Sequence, residues 1–223
     1  AACSTVLYAQ LQPLAAANFS DATARSLMMP LASAAYSDAP QQCLDNQLKT
    51  ANVSKQITRK CDYFKQDTCS GFTFYDETRK VIGVAFRGTM DTSQLIEQIS
   101  DILFESQMDF PAGGKTSSYF SKAFNDVWND GMGDDFAALV AKYPSYKVWI
   151  TGHSLGGALA SMAAALISSD KLATKENIAL YTFGQPRTGD PTYAHIHDKL
   201  VTSYRVVHGR DIVVQSPPRF MNY

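Results

Sequence analysis

A chain of 223 residues is long enough for one domain with a sizeable core, and its 45% hydrophobic content is that of a globular protein. Charged residues make up 18%, below the usual ~25%, which excludes a disordered chain. The formal net charge is -1 with no run of like charge, so nothing draws the chain to nucleic acid or to an anionic membrane surface.

The longest apolar stretch, from Ala158 to Ile167, is too short for the roughly 20 residues of a membrane-spanning helix, and a soluble protein is expected. The first residues, Ala1-Ala2-Cys3, lack a methionine, as in a mature chain after removal of a signal peptide. Cys3, Cys43, Cys61 and Cys69 form neither a CxxC pair nor a Cys/His zinc pattern, so disulfides are expected, with three connectivities open. The sequons Asn18-Phe19-Ser20 and Asn52-Val53-Ser54 fit the same oxidising route, and the expectation is a secreted, extracellular glycoprotein.

In chain order, the alanine- and leucine-rich start predicts a helix capped by Ser20 or Asp21 and running toward Tyr36, with Pro30 kinking or breaking it. Residues 38 to 70 read as a loop-rich segment held by cysteines. Gly71 to Tyr75 and Val81 to Arg87 are β-rich runs around a polar turn, the pattern of an antiparallel hairpin. From Ser117 to Tyr143 the apolar residues follow helical spacing, weakened at Asp130-Gly131 and Gly133 and stopped by Pro144. Strands at 147–151, 178–183 and 203–207 then alternate with helices at 155–169 and 191–200. That alternation predicts an α/β fold with a mostly parallel central sheet covered by helices. No repeat or linker divides the chain, and residues 1–223 are expected to be a single domain.

The most informative segment is Gly152-His153-Ser154-Leu155-Gly156-Gly157, a G-x-S-x-G motif between a predicted strand and a predicted helix. Glycines two before and two after the serine let strand and helix approach closely. The helix beginning at Leu155 aims its N-terminal N–H groups at the space beside Ser154 Oγ. Ser154 is therefore the candidate nucleophile, against the alternative of a plain strand-to-helix turn.

Five segments resemble the fungal-type class 3 lipase family, which are secreted α/β-hydrolases acting on lipid esters: Ala34-Ala35-Tyr36, Val84 to Thr89, Thr151 to Ala158, Thr182 to Gly189, and Tyr204 to Pro218. The resemblance implies an α/β-hydrolase fold, a Ser-Asp-His triad, an oxyanion hole and a helical lid after the first hairpin. On it, Ser154 matches the nucleophile and Asp211 the acid, in the order Ser, Asp, His. An aspartate that merely starts a turn is the other reading of Asp211. Asp190 competes as acid but is better placed to cap the helix that follows it. Thr89 matches the oxyanion residue, with the Leu155 backbone N–H as second donor. Leu95, Ile96, Ile99, Ile102 and Leu103 share one helical face opposite Gln94, Glu97, Gln98 and Asp101, which is the candidate lid or an ordinary surface helix, with residues 101 to 104 alternatively strand.

The family's histidine lies well downstream of the acid, yet none follows Asp211. His153 is expected to point away from the turn, His195 and His197 to lie on a solvated helix surface, and His208 to sit at a strand end out of the family's order. The base is expected beyond Tyr223, and a relative without a working triad is the alternative. The resemblance implies a lipase that hydrolyses acylglycerol esters through an acyl-enzyme, as a monomer, with lipid substrate and transient interface contact, no nucleic acid, no metal and no cofactor. A feruloyl or small-ester esterase and a non-catalytic lipid-binding relative are the rivals.

Overall fold

The computed structural model describes residues 19–61, 68–88 and 106–223. Six strands form one sheet: β1 (Asn52–Lys60), β2 (Thr68–Asp76), β3 (Val81–Phe86), β6 (Lys147–His153), β7 (Ile178–Phe183) and β8 (Ser203–Val206), in that spatial order. The pairs β1–β2 and β2–β3 are antiparallel, whereas β3–β6, β6–β7 and β7–β8 are parallel. Two short strands between them, β4 (Gln107–Asp109) and β5 (Lys115–Ser117), pair apart from the main sheet.

The central strands are apolar on both faces because both faces are covered. Along β3, Ile82, Val84 and Phe86 enter one core while Val81 and Ala85 enter the other. The first core lies under α3 (Ser118–Val127), α4 (Gly133–Lys142) and α5 (Leu155–Ser169). The second lies under α1 (residues 21–34) and α2 (Pro40–Gln47), where Leu27, Met28, Leu31 and Leu44 are buried. Helix α5 is apolar around most of its circumference, as a helix enclosed between sheet and neighbours must be. A sixth helix, α6 (Pro191–Leu200), packs on it. Among the described residues, no helix is long and apolar enough to cross a membrane.

The first helix keeps its predicted course. Ser20 caps it, its hydroxyl accepting from Thr23 N at 3.2 Å, and a π-helical stretch, Ala24–Met28, precedes Pro30. A proline cannot donate to the carbonyl four residues back and its ring crowds that carbonyl, and the widened turn ahead of Pro30 gives the ring room. The break foreseen near Asp130-Gly131 is present: Gly131 has φ 102°, and Trp128–Met132 joins α3 to α4.

Residues 38–61 and 68–70 correct the expectation of a loop. Pro40 opens helix α2 instead of interrupting one, since a first-turn proline has no N–H to waste. Strand β1 is a mostly exposed edge strand, so it carries no apolar alternation to announce it. Its end is tied to β2 by the Cys61–Cys69 disulfide, and Cys43 forms no disulfide among the described residues. Thr89 and the candidate lid lie outside the described residues.

Candidate active site

The carboxyl ends of the parallel strands bring Gly88, Ser154, Gly184 and Asp211 to one edge of the sheet, the edge at which open α/β sheets bind ligands. Ser154 stands between β6 and α5 with φ 54° and ψ -127°, a conformation non-glycine residues rarely adopt and which costs about 1–3 kcal/mol. The surroundings impose it. Ser154 N donates to Phe183 O at 2.9 Å, and Ser154 O accepts from Gly157 N at 2.9 Å.

The flanking glycines are sterically required. A Cβ on Gly152 would stand 2.1 Å from Gly156 O, and one on Gly156 2.3 Å from Phe86 O. Ser154 itself is buried, and its Oγ has no hydrogen-bond partner among the described residues. Among the described residues no side chain caps α5, so the N–H of Leu155, its first residue, stays available to a developing negative charge, while Gly157 N is taken by Ser154 O.

Asp211 sits in the loop after β8. Its Oδ1 accepts from Val213 N at 2.9 Å, and its own N–H reaches His208 O at 3.2 Å. The turn-forming role and the candidate acid role thus fall on the same residue, one oxygen serving the turn. The other, Oδ2, is 3.3 Å from where a Gly184 Cβ would stand, and His153 Nε2 is 3.7 Å from that point. Gly184 has φ 60°, so the bend that lets the carboxylate approach suits a residue without a side chain. Asp190 is committed elsewhere: its Oδ1 accepts from Tyr193 N at 2.7 Å and Lys115 N at 3.0 Å, capping α6.

None of the four histidines hydrogen-bonds Ser154 Oγ. His153 turns away from it, and its Nδ1 is 2.7 Å from the hydroxyl of Tyr36. Enclosure by its neighbours lowers the pKa of His153, and the Asp211 carboxylate offsets part of that. Burial drives Tyr36 up to about 12 against the pull of a hydrogen bond from the Gly88 backbone and of the Arg87 charge. His195 and His208 are exposed.

His197 corrects the expectation of a solvated surface: it is buried, and burial pulls its pKa to about 4. A helix residue two positions from an exposed one faces the other way, so one of the pair had to turn inward. His197 lines a cavity of about 520 Å³ with Arg187, Tyr193, Arg205 and Tyr223, and neither Ser154 nor Asp211 contributes to its walls.

Sequence reasoning missed the Tyr36–His153 contact, which joins residues 117 positions apart. The one signal for it is that both residues lie in segments that resemble the family.

A strained serine between a parallel strand and a helix, with an aspartate beyond a later strand, defines an α/β-hydrolase. Residues 83–221 match the lipase (class 3) family, and the chain belongs to it. It is 36% identical over 159 residues to lipase ZK262.3 of Caenorhabditis elegans, covering 71% of this chain and 44% of that one. The crystal structure of the lipase from Rhizopus microsporus var. chinensis superposes with TM-score 0.76 at 29% identity, covering 87% of this chain and 68% of that one. A structure described by the words "a serine protease triad forms the catalytic centre of a triacylglycerol lipase" superposes with TM-score 0.73 at 26% identity, covering 87% and 74%. The chain spans less than half the length of the worm relative.

Proposed function

We propose that this protein is a secreted serine hydrolase that cleaves carboxylic ester bonds of acylglycerols through an acyl-enzyme on Ser154. The observation that carries this reading is the serine itself: buried, held at a strained turn, at the open N-terminus of a 15-residue helix. In this reading Ser154 Oγ attacks the ester carbonyl while the backbone N–H groups of Leu155 and Thr89 hold the tetrahedral oxyanion. The alcohol leaves with a proton from a base, and water then hydrolyses the acyl-enzyme by the same steps. Asp211 orients that base and stabilises its protonated form.

The base in this proposal is a histidine outside the 223 residues, since none of those within them hydrogen-bonds Ser154 Oγ and the cavity that His197 lines does not include Ser154. The lipase described by its serine protease triad supports that assignment, and it supports acylglycerols as the substrate class. The Cys61–Cys69 disulfide supports an oxidising, extracellular location. The amphipathic segment from Leu95 to Leu103 is proposed as the lid, its apolar face meeting lipid when the site opens.

The test is intact mass spectrometry of the natural full-length protein before and after an alkyl fluorophosphonate, beside hydrolysis of an emulsified triacylglycerol. A single adduct on Ser154, with both adduct and hydrolysis lost in Ser154→Ala, is the expected result. Undiminished hydrolysis by Ser154→Ala overturns the assignment of the nucleophile. A full-length protein that forms no adduct and hydrolyses nothing is instead the non-catalytic, lipid-binding relative.

A further inference from the structure

His153 precedes the serine and Tyr36 lies in the turn just after the first helix, yet their side chains meet at 2.7 Å with ring centroids 5.9 Å apart. What surrounds the contact gives it a direction. A Cβ on Gly88 would stand 2.5 Å from Tyr36 Oη, 2.5 Å from His153 O and 3.1 Å from Ser154 Cβ. The Tyr36 hydroxyl therefore lies against the end of β3 just where that end touches the nucleophile turn. The Gly88 backbone hydrogen-bonds the Tyr36 oxygen. An N–H donated to that oxygen leaves the phenol proton for His153 Nδ1, which fixes the imidazole as the tautomer protonated at Nε2. Nε2 in turn lies 3.7 Å from the position of a Gly184 Cβ, the same point that Asp211 Oδ2 approaches to 3.3 Å.

Four loops thus converge on one hydrogen-bonded pair: the end of α1, the end of β3, the serine turn, and the Gly184–Asp211 contact. We propose that Tyr36 and His153 are positioning residues for Ser154, a hydroxyl–imidazole clamp that sets how the serine turn sits against the end of β3 and toward Asp211. Neither touches the reacting atoms. The clamp acts through geometry, and a nucleophile displaced by about 1 Å loses roughly 100-fold in rate while substrate binding is spared.

The inference rests on the serine-hydrolase reading, and its test keeps the two apart. Wild type, Ser154→Ala, Tyr36→Phe, His153→Leu, His153→Asn and the double variant Tyr36→Phe/His153→Leu are compared in the full-length protein. Three readouts are taken: kcat and KM on a soluble aryl ester, the rate of fluorophosphonate addition, and Tm. Tyr36→Phe removes one oxygen and keeps the ring, so a fall in kcat and in acylation of about 10- to 100-fold with KM within about twofold is expected. His153→Leu is expected to fall as far, and the double variant no further, because both break the same bond. His153→Asn keeps an acceptor near the Nδ1 position and is expected to recover most of the loss, an outcome that a packing role would not produce.

Wild-type kcat in Tyr36→Phe, or losses that multiply in the double variant, would overturn the clamp. A kinetic deficit that tracks Tm across all the variants would overturn it equally. Should Tyr36→Phe fail to fold, the His153→Asn and His153→Leu pair decides alone by the same rescue. If wild type shows no acylation dependent on Ser154, the hydrolase reading fails, and the clamp falls with it.

Discussion

Gly184 shows how little room a single residue leaves around the candidate acid. Its φ of 60° lies where an L-residue pays about 1–2 kcal/mol, and the space its missing Cβ would fill is bordered by both Asp211 Oδ2 and His153 Nε2. A methyl group there would stand 3.3 Å from the carboxylate oxygen, close enough that the oxygen must shift by a few tenths of an ångström. Gly184→Ala is therefore expected to lower stability by only about 1–2 kcal/mol, a Tm change of a few degrees in a chain of this size. The expected cost to ester hydrolysis is larger than that stability loss explains, because the displaced atom belongs to Asp211. Differential scanning calorimetry and the acylation rate of one preparation check both. A variant with normal acylation would show that the open space beside Gly184 does not matter to the acid.

At the scale of elements, the serine turn is a packing problem solved by removing side chains. Helix α5 meets β6 so closely that a Cβ on Gly152 strikes Gly156 O at 2.1 Å, and meets the end of β3 so closely that a Cβ on Gly156 strikes Phe86 O at 2.3 Å; neither backbone atom can rotate aside. A Cβ on Gly157 meets Gln185 first, at 3.0 Å from its Cβ. Gly152→Ala and Gly156→Ala are each expected to cost at least about 3 kcal/mol, and Gly157→Ala about 1 kcal/mol, read from denaturant midpoints. Equal losses at the three positions would refute the steric account.

This turn was legible in the sequence because its requirement is local: two glycines, a serine, an apolar strand before and an apolar helix after. The parallel strands were legible for a related reason, since burial on both faces leaves uninterrupted apolar runs such as Ile178 to Phe183. Strand β1 was not, because an exposed edge imposes no pattern on Asn52 to Lys60. The Tyr36–His153 bond and the inward turn of His197 were hidden for another reason. Each depends on which distant segment packs opposite, and no periodicity along the chain records that.

The whole molecule carries a proton-linked cost in the docking of α6 on α5. Tyr193 joins the two helices through a 2.8 Å hydrogen bond with Ser161, and one turn further on His197 is 7% exposed. Burial holds the imidazole neutral to about pH 4, against Asp198 and the Ser161 backbone, which favour its charged form. In the unfolded chain the same side chain takes up its proton near pH 6.5. Between these values the unfolded state binds the extra proton, so stability is fully present above about pH 6.5 and drains away as pH falls toward 4. The span corresponds to about 3 kcal/mol at 1.36 kcal/mol per pH unit. Urea unfolding at a series of pH values is expected to show that loss in wild type. Carboxylates also titrate in this window, so the comparison that isolates His197 is His197→Gln, which keeps a polar group of similar reach and cannot take the proton. The variant is expected to be less stable at pH 7 and to lose about 3 kcal/mol less than wild type on going to pH 4. Parallel pH profiles for the two proteins would mean that His197 reaches solvent as readily in the folded state as in the unfolded one, and that α6 is not sealed against α5.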